Sequence, residues 1–65
     1  MDLIDKLAKN IRLLRGERTQ EVFSRKLGIS QATLARLESG AQNTTLKTLQ
    51  QITKALKCNV EDLFK

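Results

Sequence analysis

A chain of 65 residues has room for one small domain, residues 1–65, and none for an enzyme cleft with its own supporting shell. Two Phe, no Tyr, no Trp, no Pro and three Gly favour an aliphatic helical core with short joints over a β-sandwich. A net charge of +5, from 12 Lys and Arg against 7 Asp and Glu, favours polyanionic partners, nucleic acid before an acidic membrane surface.

The positive excess lies mainly in residues 1–36. A single cysteine, Cys58, excludes an internal disulfide and suits a reducing compartment. No charged start leads into an apolar stretch and cleavage site, so no signal peptide is expected. No apolar run approaches the ~20 residues of a membrane span.

Leu3 to Arg15 reads as the first helix. Ile4, Leu7, Ala8, Ile11 and Leu14 recur at spacings of three and four and make one apolar stripe. Asp2 and Asp5 suit its positive end, Arg12 and Arg15 its negative end. Lys6, Lys9 and Arg12 read as solvated faces, and Gly16 ends the helix. Thr19 is placed to cap a second helix opened by Gln20 and Glu21, with Val22, Phe23 and Leu27 as its apolar side and Gly28 as its left-handed stop. Ile29 is a plug for the space between helices. Ser30 caps a third helix that starts Gln31-Ala32-Thr33, carries Leu34 and Leu37 inward and ends at Gly40. Residues 41–44 read as a loop. Thr45 caps a fourth helix whose apolar positions are Leu46, Leu49, Ile52 and Leu56, with Ala55 beside them. Asn59 and Asp62 have capping-box spacing for a short fifth helix anchored by Val60, Leu63 and Phe64. The fold class expected is all-α, a compact five-helix domain.

Catalysis finds no footing. There is no His, Cys58 lacks an evident base, and Glu61 and Asp62 sit where capping alone explains them. No Gly-rich phosphate loop and no metal-ligand spacing occurs. No enzyme activity, metal, cofactor or small-molecule effector is expected. Cys58, between Leu56 and Val60, reads as a small buried hydrophobe.

Residues 19–40 carry the functional signal. A helix, a short turn containing Gly and a second helix is the unit that enters a DNA major groove. With Leu34 and Leu37 turned inward, Gln31, Ala32, Ala35 and Arg36 remain outside. Gln can bond bidentately to adenine, Arg to guanine, and short side chains let a helix approach a thymine methyl.

The chain also resembles the lambda-repressor-like family of Xre or Cro/C1-type helix-turn-helix domains. The resemblance rests on Thr19-Gln20-Glu21-Val22-Phe23-Ser24, Leu27-Gly28-Ile29-Ser30-Gln31-Ala32-Thr33-Leu34 and Leu37-Glu38-Ser39-Gly40. It continues at Leu46-Lys47-Thr48-Leu49 and Val60-Glu61-Asp62-Leu63-Phe64. It implies a five-helix domain that binds operator DNA as a two-fold dimer and regulates transcription from the cytoplasm of a prokaryote or of a phage host, on the nucleoid when bound. It implies that Gln20 clasps a phosphate and that Gln31 reads a base. Ala32, Thr33 and Arg36 would set sequence preference, Asn43 and Thr44 touch phosphates near the dyad, and Arg15 and Glu38 form a structural pair. The chain departs from the family pattern in a joint about two residues shorter between helices one and two, and in Ser24 where Ala is usual. The Ser24 hydroxyl needs a partner, for which the i−4 carbonyl is available.

The expected division of labour follows. Arg18, Gln20, Asn43, Thr44 and Lys47 are the phosphate contacts, and Gln31, Ala32, Thr33 and Arg36 the base contacts. Val60 and Phe64 are candidates for a dimer surface. Two other roles compete: an antitoxin or restriction-modification controller acting on its own operon, and a protein-interaction module that binds another regulator.

Overall fold

The computed structural model describes residues 2–40 and 44–65, and the loop positions Ala41, Gln42 and Asn43 lie outside them. The described chain is all-α. It consists of α1 (Leu3–Arg15), α2 (Gln20–Leu27), α3 (Gln31–Glu38) and α4 (Leu46–Leu56), closed by a 3-10 helix over Val60–Phe64. The last element is thus a tighter 3-10 turn rather than an α-helix, as suits a five-residue segment that cannot complete a second α turn.

Each α-helix starts at a short polar side chain that accepts from the backbone three residues on. Asp2 Oδ1 accepts from Asp5 N–H at 2.9 Å, Thr19 Oγ1 from Val22 at 3.1 Å, Ser30 Oγ from Thr33 at 3.0 Å and Thr45 Oγ1 from Thr48 at 3.2 Å. Each supplies a partner to a backbone donor that the helix leaves open. The 3-10 helix is held by Asp62, whose Oδ2 accepts from Asn59 N–H at 3.0 Å. The hydrogen bond from Lys65, with that from the Asn59 backbone, holds the Asp62 carboxyl below the usual carboxylate range.

The core draws on every element: Leu7, Ala8 and Ile11 from α1, Phe23 and Leu27 from α2, Leu34 and Leu37 from α3, Ile52 from α4 and Leu63 from the 3-10 helix. Ile29, Leu49, Ala55, Leu56, Cys58 and Phe64 pack on it from the side. Several periodic positions lie outside this core. Leu14 and Val22 are about half exposed, and Leu46 is 68% exposed. All three sit in the first or last turns of their helices. Ser24 is buried at the α2 crossing, and its hydroxyl donates to the Glu21 carbonyl at 2.9 Å, three residues back rather than four. The half-buried Cys58 thiol is pushed up from its usual pKa by burial and then by the charge of Asp62, so it stays protonated at neutral pH.

The C-caps of α2 and α4 adopt the left-handed helical conformation. Gly28, at φ 74°, closes α2, and a Cβ there would stand 2.6 Å from Gln51 Nε2. That nitrogen donates to the Leu27 carbonyl at 3.2 Å, so α4 itself satisfies the end of α2. Lys57 closes α4 with φ 54° and lacks glycine's freedom. Lys57→Gly is expected to raise stability by about 1 kcal/mol, the relieved strain outweighing the extra freedom of the unfolded chain. Thermal unfolding checks this, and a lower Tm would contradict it.

Candidate nucleic-acid interface

Helix α3 is anchored by its inner face and open on its outer one. Leu34 and Leu37 are fully or almost fully buried, whereas Gln31, Ala32 and Arg36 are exposed and Ala35 is half-buried. Four residues of one short helix thus present one amide, two methyl groups and one guanidinium to the outside. Thr33 is half-buried, and its Oγ1 accepts from the Ser30 hydroxyl at 2.8 Å. Accepting that bond leaves the Thr33 O–H proton free to donate elsewhere.

The far end of α3 is fixed by a buried acid. Glu38 is 5% exposed, and three side chains from two other helices converge on it. Arg15 Nε donates to Glu38 Oε2 at 2.8 Å, forming an ion pair across α1 and α3. Gln20 Nε2 donates to Glu38 Oε1 at 3.2 Å. Arg12 donates to the Glu38 backbone carbonyl, satisfying one of the open acceptors at the end of α3. Arg15 also donates to the Arg18 carbonyl at 2.9 Å, which fixes the short joint between α1 and α2. Arg12 remains exposed, so its charge lies on a solvated face as expected, and it makes this contact as well.

Of the other proposed phosphate contacts, Arg18, Gln20, Thr44 and Lys47 lie within the described residues. Arg18 is exposed, its guanidinium 5.6 Å above the centre of the Phe23 ring. Gln20 is half-buried at the first residue of α2. Thr44 is half-buried just before the α4 cap, and Lys47 is exposed in the first turn of α4. Asn43 lies outside the described residues. Val60 is 43% exposed, while Phe64 is half-buried and packs on the core.

The sequence assigned no structural contact to three polar residues that hold this arrangement. Arg12 ties α1 to the end of α3. Asn10 donates through Nδ2 to the carbonyls of Leu63 at 2.8 Å and Lys65 at 3.0 Å, tying α1 to the chain's last turn. Gln51 ties α4 to α2. The signal that could have found them is the need of each helix end for donors from elsewhere. Among the described residues, no group of three or more His, Cys, Asp or Glu is placed to hold a metal ion, and no helix is long and apolar enough to cross a membrane.

Comparison with known proteins decides the family. The helix-turn-helix family model matches residues 4–63. The chain belongs to the helix-turn-helix family. It is 39% identical over 46 residues to the plasmid copy control protein CopR of Streptococcus agalactiae, a match covering 71% of this chain and 50% of that protein. It is 35% identical over 46 residues to an uncharacterized HTH-type transcriptional regulator of Archaeoglobus fulgidus, covering 71% of this chain and 66% of that one. The chain thus spans about half to two thirds of the length of these relatives. The crystal structure of the hypothetical transcription factor NHTF from Neisseria superposes with a TM-score of 0.82 at 27% identity, over 98% of this chain and 76% of that one. This helix-turn-helix chain has the fold of Xre/Cro-like DNA-binding transcriptional regulators, not that of an enzyme.

Proposed function

We propose that the chain is a lambda-repressor-like domain that binds double-stranded DNA sequence-specifically and regulates transcription, acting as a homodimer on a two-fold operator. The observation that carries this reading is the exposed front of α3, with Gln31, Ala32 and Arg36 outward while Leu34 and Leu37 lock the helix to the body. Such a helix can lie in a major groove with its amide and guanidinium against base edges. The names of the relatives, one for plasmid copy control and one for transcriptional regulation, support the regulatory role.

Affinity comes from phosphates and specificity from bases. Arg18, Gln20, Asn43, Thr44 and Lys47 supply the former, and Gln31, Ala32, Thr33 and Arg36 the latter. One recognition helix reads only a few base pairs, so selectivity requires a second copy. The body measures 27 × 22 × 21 Å. Two such bodies side by side can set their α3 helices roughly 34 Å apart, one turn of DNA. Exposed Val60, with the outer edge of Phe64, is the surface proposed for that contact.

The test starts from a site selected out of random duplexes. Gln31→Ala is expected to cost about 1–3 kcal/mol on that site and much less on random DNA at the same salt. Equal losses on both would remove Gln31 as a base reader, and salt-independent binding of either duplex would favour the protein-interaction role.

A further inference from the structure

We infer that Glu38 is a positioning residue for Gln20: its buried carboxylate holds the Gln20 amide nitrogen and leaves the second N–H for the DNA backbone. The inference rests on the DNA-binding reading above and extends it to a residue on the inward side of α3.

A carboxylate only accepts hydrogen bonds, whereas a primary amide has a donor end and an acceptor end. Glu38 Oε2 is taken by Arg15 Nε at 2.8 Å, which leaves Oε1 for Gln20 Nε2 at 3.2 Å. Turning the Gln20 amide over would set its carbonyl oxygen against the carboxylate oxygen, with two lone pairs opposed in a largely buried place. The nitrogen therefore stays on Glu38, and its second N–H is the donor left for a phosphate at the start of α2. Arg15 contributes a further effect. By pairing with Glu38 it offsets the negative charge that would otherwise stand behind the phosphate contact. Arg12 holds the Glu38 carbonyl, so the residue that orients Gln20 is itself fixed to α1. One acid thus links the three helices that place the proposed backbone contact relative to the recognition helix.

A double-mutant cycle on DNA affinity tests this. Glu38→Gln keeps the size of the side chain but offers one carbonyl oxygen to two donors. The charged Arg15 claims it, and Gln20 is left facing an amide NH2 and loses its fixed orientation. In the Gln20 parent, Glu38→Gln is expected to weaken binding by about fivefold on selected and random duplexes alike, and in a Gln20→Ala background by less than about twofold. The side-chain amide resonances of Gln20 in 1H–15N spectra of the free protein are expected to move in the same variant. Glu38→Asp is the second probe. It keeps the charge and shortens the reach to Gln20, and its loss is again expected to require Gln20. Equal losses in both backgrounds would overturn the inference and leave Glu38 as a clamp alone. A Gln20→Ala variant as tight as the parent on every duplex would overturn it while leaving the role of Gln31 intact. A parent chain with no salt-dependent DNA binding would overturn both.

Discussion

Phe23→Ala is expected to destabilise the fold by about 3–5 kcal/mol, the loss typical of a large aromatic removed from a packed core. Phe23 is fully buried, on the helix between α1 and α3 in the chain, and is among the largest side chains in the core. Its ring also carries the Arg18 guanidinium, whose contact would be lost with it. A domain of this size holds roughly 3–10 kcal/mol in all, so the variant is expected to be largely unfolded at 37 °C. Phe23→Leu, which keeps most of the apolar volume, is expected to cost about 1.5 kcal/mol. Urea denaturation followed by circular dichroism measures both. A loss below 1 kcal/mol for the alanine variant, on the scale of a surface change, would contradict the packing described.

Arg15→Ala is expected to cost about 2–3 kcal/mol. Removing one member of a buried pair costs roughly 3–5 kcal/mol because the other charge is left without its partner. Arg15 is 26% exposed and Gln20 still donates to the remaining carboxylate, so the loss falls below that range. The diagnostic comparison is with the Arg15→Ala, Glu38→Gln double variant. With no orphaned charge, the double variant is expected to be more stable than Arg15→Ala alone. Thermal denaturation of the four proteins of the cycle decides it. A double variant less stable than the single would show that Glu38 draws its stabilisation from elsewhere.

The parts of the fold that were legible in the sequence are those set by short-range chemistry. Thr19, Ser30 and Thr45 each act on a backbone N–H three residues away, so a cap is visible in four letters. The left-handed stop at Gly28 follows from the one residue type that takes it without strain. Lys57 takes the same conformation with no such sign in its side chain. Periodicity located the inner face of every helix, but it says nothing about where a neighbour ends. Leu14, Val22 and Leu46 accordingly continue their stripes into solvent. The 3-10 character of Val60–Phe64 was hidden because five residues are too few for a period to distinguish the two helix types.

The site was legible to a different depth. The outward set Gln31, Ala32 and Arg36 followed from placing Leu34 and Leu37 inside. The polar hub around Glu38 did not follow from local pattern. Its donors come from 18, 23 and 26 residues away, and a glutamate near a helix end ordinarily reads as exposed. The family resemblance suggested Arg15 as its partner. Neither periodicity nor resemblance pointed to Arg12, or to the bond that occupies one end of the Gln20 amide.

The central claim is that α3 enters the major groove by its front face. The most direct measurement maps backbone amide shifts while a duplex carrying the selected site is titrated in at fixed salt. The largest changes are expected on the first turn of α2 around Gln20 and along α3 from Gln31 to Arg36, with the outer face of α1 at Lys6 and Lys9 little affected. Changes centred on α1, with α3 undisturbed, would contradict it.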